Sequence, residues 1–211
     1  VAVAEGWEDR PGAAVHVARG GEYAGFIVVE DTPREQAPSA INRLRALGVR
    51  TVGMLSGDRP ENAEKLGREL GLDLWEGGLM PAGKLDHFRI IKKRVGGTTV
   101  FVGDGMNDAP LLAASDAGFA MGGLGADAAI GAADAVLLND DPGGAAEGIA
   151  IARRTKTVMH QNIAFALGVK VLVLIMGAFG VATMWEAVFA DVGVALLATL
   201  NAARILRTSG A

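Results

Sequence analysis

Two long apolar stretches near the carboxyl end constrain the fold of this chain most strongly. Residues 163–184 are apolar except for Lys170, and residues 187–203 are apolar except for Asp191. Because about 20 apolar residues span a bilayer, we expect a two-helix transmembrane hairpin that turns near Gly180–Thr183. The sequence leaves open the alternative of a buried helical hairpin in a soluble protein.

Basic residues flank the predicted hairpin on its outer sides, and only Glu186 lies between the two spans. Lys and Arg favour the cytoplasmic side of a membrane. We therefore expect a multi-pass protein of the plasma or inner membrane, with the soluble part and the carboxyl terminus both in the cytoplasm. The basic residues are Arg153, Arg154, Lys156, Arg204 and Arg207.

The two charged residues within the spans are candidates for function, because a charge inside a bilayer is costly. At 1.5 Å of rise per residue, Lys170 lies about 15 Å from the predicted turn and Asp191 about 12 Å from it. Their similar depth predicts an ion pair near mid-bilayer. A purely structural pair is the alternative.

Composition excludes several classes of function. The chain of 211 residues has a formal net charge of −4 and no Lys/Arg cluster interleaved with aromatic residues, so nucleic-acid binding has no support. It contains no cysteine, which excludes disulfides and thiolate metal sites within it. No signal segment follows Val1, and we expect the sequence to be a fragment.

Before the hairpin, strand-like and helix-like segments alternate, which predicts an α/β domain with a parallel sheet and helices on both faces. Thr32, Pro33 and Glu35 predict the start of the first helix, which Gly48 ends. The predicted strands are 24–30, 51–55, 98–102, 117–121 and 135–138; further helices begin at Pro60, Lys84 and Pro110.

Acidic loops follow two of the predicted strands, where ligands of parallel sheets gather. Asp104 and Asp108 flank a glycine-rich turn after residue 102, and two carboxylates aimed at one point suit Mg²⁺. The alternative is a polar turn in which Asp108 caps the helix at Pro110. Asp58 has a similar alternative as a helix cap before Pro60.

Two further features have ordinary interpretations when taken alone. Lys84 is typical of a solvated helix lysine. The glycine-rich residues 122–125 resemble a phosphate loop, but no Lys-Ser/Thr follows them, which favours a flexible turn.

Three motifs occur together in order: Leu-Ser-Gly-Asp-Arg at 55–59, Met-Pro-Ala-Gly-Lys at 80–84 and Val-Gly-Asp-Gly-Met-Asn-Asp-Ala-Pro at 102–110. Together they resemble the phosphorylation domain of P-type ATPases, a haloacid-dehalogenase-like (Rossmann-like) fold. The stretch 31–34 resembles the point at which the chain re-enters this domain from the nucleotide-binding domain. The resemblance covers roughly residues 14–207.

The resemblance implies roles for individual residues in phosphoryl transfer from ATP, which relies on positioning and charge stabilisation. Asp104 is expected to bind Mg²⁺, with Asp108 supporting its coordination. Lys84 is expected to neutralise the phosphoryl group, and Ser56, where the family usually has Thr, to hydrogen-bond it. Gly57 and Asp58 complete that loop, with Asp58 supporting the nucleotide-side geometry, and Asn107 is assigned to cofactor binding.

The hairpin resembles the last two helices of zinc-, cadmium- and lead-exporting P-type ATPases. The resemblance lies in Asn162, Lys170, the string Trp-Glu-Ala-Val-Phe-Ala-Asp-Val-Gly at 185–193 and Asn201. It implies that Asp191 is a ligand of the transported Zn²⁺, Cd²⁺ or Pb²⁺ and that Lys170 is its counter-charge when the site is empty. The strings typical of copper and cobalt pumps are absent.

These patterns predict three parts: residues 1–23 as the tail of a nucleotide-binding domain, 24–157 as the phosphorylation domain, and 158–207 as the membrane hairpin. The phosphorylated aspartate of the family's Asp-Lys-Thr-Gly-Thr motif is absent, as is its Cys-Pro-Cys motif. We expect both in an upstream part of the same pump, and the isolated chain to be inactive. The alternatives are a membrane-anchored phosphatase of the same fold and a non-catalytic fragment.

Overall fold

The computed structural model describes residues 13–29, 32–103, 108–122, 127–138, 141–181 and 183–206. The expectations for residues 1–12 and for Asp31, Asp104, Asn107 and Arg207 lie outside these residues. The chain divides into two compact units, 1–146 and 147–211. The predicted boundary at residue 157 lies within a single long helix, which begins in the first unit and continues into the second.

The first unit alternates strands and helices as predicted, in the following order: β1 Ala13–Arg19, β2 Glu22–Val29, α1 Ala37–Ala46, β3 Gly53–Leu55, α2 Pro60–Glu69, β4 Leu74–Glu76, α3 Pro81–Val95, β5 Val100–Gly103, α4 Ala109–Ala114, β6 Ala117–Met121, α5 Asp127–Ala132 and β7 Ala135–Leu137. β3 pairs in parallel with β4, and β5, β6 and β7 form a second parallel ladder. The α/β fold class is therefore confirmed. β4 and α5 were not predicted from the sequence.

The predicted strand 24–30 pairs differently from the parallel ladders. It forms most of β2, which pairs antiparallel with β1 as a hairpin. The turn consists of Gly20 and Gly21 with φ of 62° and 86°. Positive φ at both central residues is the requirement of a tight hairpin turn whose twist matches its strands, and glycine meets it without strain.

The predicted start of the first helix at Pro33 is wrong. Residues 32–34 form no regular secondary structure, and α1 begins at Ala37, where Pro38 occupies the first turn. A helix running from Pro33 would place Pro38 in its interior, where proline lacks the N–H donor and clashes with the preceding turn. The end at Gly48 is as predicted, with a positive φ of 76°.

Aspartates fix the register of the parallel strands at their amino ends. Each precedes a strand, donates its own N–H to a backbone carbonyl at the amino end of the neighbouring strand, and accepts that residue's N–H on its carboxylate. All six bonds measure between 2.7 and 3.0 Å. The pairs are Asp73 with Val52, Asp116 with Thr99, and Asp134 with Gly118.

The core of this unit lies between α4 and the β5–β7 ladder. Leu112 and Ala120 are buried there, with Phe101 packed against them. Gly118 is required at this contact, because a Cβ on it would lie 2.9 Å from the carbonyl oxygen of Leu112. Tight packing therefore holds α4 at the point where β5 ends.

The second unit contains the predicted hairpin. Helix α6, Gly143–Ala178, is followed by α7 Met184–Val188, a π-helical segment Phe189–Gly193 (the π segment) and α8 Val194–Ala203. α6 ends at Ala178, and the chain turns at Gly180, the first residue of the predicted turn, with φ of 71°. Val181 and Thr183 also lie outside the helices, and Ala182 is not among the described residues.

Both helical stretches, Gly143–Ala178 and Met184–Ala203, are long and apolar enough to cross a membrane. Their most apolar windows are 0% and 12% buried. A buried hairpin in a soluble protein would shield these side chains, yet large apolar residues such as Leu174 and Leu167 are exposed. The exposure favours the membrane over the soluble alternative.

The hydrogen-bonded Asp116 yields a prediction on acid titration. Hydrogen bonds from Lys92 and from Thr99 lower the pKa of Asp116 from its ordinary value of 3.8 to about 2. Because the folded-state pKa is lowered, the contribution to stability is complete above pH 3.8 and is lost as the pH falls towards 2. Lys92→Met should raise the pKa of Asp116 towards its ordinary value.

The measurement is a ¹³C NMR titration of the chain labelled at the aspartate carboxyl carbon, with Asp116→Asn identifying the resonance. Lys93→Met is the matched control, since Lys93 is an exposed lysine of the same helix. An unchanged midpoint in Lys92→Met would contradict the assigned cause.

Candidate functional site

A lysine–aspartate pair lies at the carboxyl end of β5. Lys84, in the first turn of α3, places its Nζ 3.4 Å from Oδ1 of Asp108, and the two side chains are only 19% and 14% exposed. The residues are separated by a helix and a strand in sequence, and the fold brings them together. A shielded cation beside a shielded carboxylate at this edge of a parallel sheet is suited to binding an anionic ligand together with a metal ion.

Asp108 is oriented towards Lys84 rather than towards its own helix. It occupies the N-cap position of α4, but its side chain makes no capping hydrogen bond. The alternative of a simple helix cap therefore lacks its defining contact. The carboxylate instead accepts a hydrogen bond from the Lys84 ammonium group.

Gly103 makes room for this arrangement, and sequence reasoning missed its role. A Cβ at Gly103 would lie 2.8 Å from the Asp108 Cβ and 2.9 Å from the Phe101 ring. Only glycine allows Asp108 to approach the end of β5 so closely. The signal was present in the sequence, since Gly103 directly follows the apolar strand.

The loop Ser56–Asp58 lies at the carboxyl end of β3, as predicted. Backbone hydrogen bonds join it to the loop after β4, from Gly78 to the Asp58 carbonyl at 2.5 Å and from Leu79 to the Ser56 carbonyl at 3.1 Å. A Cβ on Gly57 would lie 3.4 Å from the Leu79 carbonyl oxygen. The two loops therefore support each other.

Side chains of this loop have local partners. The Ser56 hydroxyl accepts a bond from the Asp58 N–H at 3.1 Å. The Asp58 carboxylate accepts bonds from the Arg59 N–H at 2.7 Å and from the Asn62 amide at 3.0 Å. Asp58 thus contacts the first turn of α2 through the Asn62 side chain. The N-cap position of α2 is Arg59, so Asp58 does not occupy the position of the alternative helix cap.

The described contacts do not join the Ser56–Asp58 loop to the Lys84–Asp108 pair directly. Helix α3 connects the two regions, because His87 contacts Glu76 at the end of β4 while Lys84 contacts Asp108. Sequence reasoning missed Glu76 and His87; helical spacing from Lys84 could have indicated His87. Asp104 and Asn107 are not among the described residues, and within those residues no three His, Cys, Asp or Glu side chains cluster.

The membrane unit holds the second predicted pair. Lys170 Nζ on α6 lies 3.5 Å from Asp191 Oδ1 in the π segment, with the side chains 56% and 77% exposed. Nearer the outer ends of the hairpin, Asn162 donates to the Ala198 carbonyl at 3.0 Å and accepts from Asn201 at 2.8 Å. The two asparagines thus join the helices by hydrogen bonds, and the side chains of the charged pair are exposed at the surface of this unit.

Known proteins resemble both units. Residues 2–116 match the haloacid dehalogenase-like hydrolase family. Over 202 residues, 95% of this chain, the sequence is 48% identical to the cadmium, zinc and cobalt-transporting ATPase of Bacillus subtilis. Over 200 residues, 94% of the chain, it is 48% identical to the zinc-transporting ATPase of Synechocystis. The chain spans 29% and 28% of the lengths of these relatives.

A solved structure is similar to this chain in its three-dimensional fold. The crystal structure of a zinc-transporting PIB-type ATPase in its E2.Pi state matches with a TM-score of 0.78 and 39% sequence identity. The match covers 92% of this chain and 31% of that one. A match of this extent includes residues of both the parallel-sheet unit and the hairpin.

The close approach at Gly103 is testable through stability. Gly103→Ala should lower the melting temperature of the chain in detergent, because the added methyl group overlaps Asp108 and Phe101 and overpacking costs about 1–3 kcal/mol. Thermal unfolding followed by circular dichroism gives the measurement. Gly131→Ala in α5 is the control, since nothing lies within 4 Å of a Cβ at that position; equal melting temperatures for the two variants would refute the packing argument.

Proposed function

Because the chain belongs to the haloacid dehalogenase-like hydrolase family, we propose that it is part of an ATP-driven P-type pump that exports divalent heavy-metal ions. In this proposal the pump forms an aspartyl-phosphate intermediate on an aspartate outside this sequence. The share of 29% of the relative's length is consistent with that division. The upstream part of the same pump would supply the phosphorylated residue and most of the ATP site.

The observation that carries the proposal is the occurrence of two lysine–aspartate pairs in one chain. Lys84 and Asp108 lie shielded at the carboxyl end of a parallel sheet, and Lys170 and Asp191 lie in an apolar hairpin. The first pair suits phosphoryl chemistry and the second suits a cation within a bilayer. A phosphatase or a non-catalytic fragment of this fold gives no role to the second pair.

At the phosphoryl site, Lys84 would bind an oxygen of the transferring group and offset its charge. Its shielding strengthens that interaction, since the local dielectric is lower than in water. Ser56 would donate its hydroxyl to a phosphoryl oxygen while keeping the bond that it accepts from Asp58. Gly57 leaves the backbone of this loop open to the ligand.

The donors present fit Mg²⁺ in chemical type. Mg²⁺ takes hard oxygen ligands, one or two carboxylates from the protein with water and phosphate oxygens. Asp108 supplies one such carboxylate, which is largely shielded from water. We propose that Asp104 and Asp108 hold Mg²⁺, that Asn107 assists cofactor binding, and that the ion supplies charge neutralisation to the phosphate of ATP.

In the membrane, the transported cation is the substrate and Asp191 would be one of its ligands. When no cation is present, Lys170 offsets the charge of Asp191, which a low-dielectric environment would otherwise penalise. Zn²⁺, Cd²⁺ and Pb²⁺ are the proposed ions, and Co²⁺ joins them for testing because the Bacillus subtilis relative is described as transporting it. The first unit and the carboxyl terminus would face the cytoplasm, where ATP is available.

The role of Lys84 is tested in the full pump. Lys84→Ala should lower phosphoenzyme formation from ATP by about 100-fold or more, the typical loss on removing one group that stabilises developing charge. Acid-stable ³²P incorporation gives the measurement. Lys93→Ala removes the same charge from an exposed site on α3 and should leave incorporation unchanged. Equal ³²P incorporation in both variants would show that Lys84 does not stabilise the transferring phosphoryl group.

The division of labour between the pairs yields a second test. Asp191→Ala should abolish zinc-stimulated ATP hydrolysis but permit phosphorylation from inorganic phosphate, which requires no bound transport ion. Lys170→Ala should retain zinc and release it poorly, because the cation then provides the only compensation for Asp191. Wild-type zinc affinity and stoichiometry in Asp191→Ala would show that this carboxylate is not a ligand.

A further inference from the structure

The helix that carries Asp191 is widened around this residue. In the π segment the N–H of Val194 donates to the carbonyl of Phe189, five residues back rather than four. Asp191 is the central residue of the five. Single π-helical turns inside α-helices insert one extra residue and occur frequently at functional sites.

The widened turn decides where Asp191 points. Each residue of an α-helix advances the side-chain direction by about 100°, so one inserted residue rotates everything before it relative to everything after it. Ala190 and Val194 are buried at 5% and 3% exposure and anchor the segment on both sides of Asp191. In this arrangement the carboxylate faces Lys170.

The absence of a side chain at Gly193 leaves space for a neighbouring ring, whereas its backbone conformation does not require glycine. Its φ of −66° and ψ of −42° are α-helical values that any residue adopts, and alanine is the better helix former. A Cβ at Gly193, however, would lie 2.9 Å from both Cδ2 and Cε2 of the Phe189 ring and 3.3 Å from its Cγ. The Phe189 ring would therefore have to shift to admit a methyl group at position 193, and its χ1 is restricted to two wells in a helix.

We infer that Gly193 is a positioning residue for the transported divalent cation: by accommodating the Phe189 ring, it keeps the turn widened and Asp191 directed at Lys170. The inference rests on the proposed function, because it assigns the cation to Asp191. Gly193 itself contributes no ligand. It acts through Phe189, which closes the turn by accepting the Val194 hydrogen bond.

The test uses the reconstituted full pump and four variants. Gly193→Ala should raise the zinc concentration for half-maximal ATPase activity by about tenfold or more. The reason is that a displacement of about 1 Å would move the Asp191 carboxylate out of its binding position. Phosphorylation from inorganic phosphate should stay near the wild-type level. Gly168→Ala in α6 is the control, because nothing lies within 4 Å of a Cβ at that position.

Rescue by a second substitution separates positioning from general damage. Phe189→Ala removes the ring that collides with the new methyl group, so Phe189→Ala/Gly193→Ala should recover most of the zinc affinity lost in Gly193→Ala. If Gly193→Ala fails to fold, the double variant should fold and bind zinc. A double variant as defective as Gly193→Ala overturns the inference, as does wild-type zinc affinity in Gly193→Ala.

Asp191→Ala, measured in parallel, separates this inference from the proposed function. Loss of zinc affinity in Asp191→Ala with normal affinity in Gly193→Ala would refute the positioning role alone. Normal affinity in Asp191→Ala would refute the cation site itself.

Discussion

One face of helix α3 holds the parallel-sheet unit together. Lys84, His87, Phe88 and Lys92 follow one another at helical spacing and contact Asp108, Glu76, Phe101 and Asp116 respectively. In the part of the chain that the structure describes, the β3–β4 and β5–β7 ladders share no strand pairing. α3 therefore joins the two ladders through side chains, and the same row of contacts sets Lys84 beside Asp108.

The acidic residues at the two ends of the parallel strands make different contacts. At the amino ends of the strands, aspartates such as Asp73 and Asp134 accept backbone N–H groups and fix the register. At the carboxyl ends, Asp108 makes no such local bond and is directed to Lys84 instead. This division follows from the parallel arrangement, which gathers all carboxyl ends at one edge. The aspartates at the amino ends are bound to the backbone, whereas the carboxylate of Asp108 at the carboxyl ends is bound to a lysine side chain.

The polar groups between the helices of the hairpin also fall into two sets. Asn162 and Asn201 bond to each other, and Asn162 also bonds to the helix backbone, which satisfies polar groups that a bilayer leaves unsolvated. Lys170 and Asp191 pair with each other and stay more than half exposed. The asparagine contacts are made between neutral groups and the helix backbone, whereas the charged pair joins the two helices by an ion pair.

The sequence by itself determined the α/β class and the apolar hairpin, because periodicity, glycine-rich turns and charge placement are local signals. Most of the candidate residues came from motifs that resemble those of a known family. Sequence reasoning misplaced the start of α1, where Pro38 outweighed the capping pattern, and it assigned β2 to the parallel sheet although the Gly20–Gly21 turn pairs it with β1. Only the tertiary structure decided that Asp108 faces Lys84, that Gly103 makes room for it, and that Gly193 accommodates Phe189. The first depends on packing between elements 24 residues apart, which meet only after the chain has folded. The other two join residues that are close in sequence, but their distances depend on local backbone conformations, one of them π-helical, that the pattern of apolar residues does not reveal.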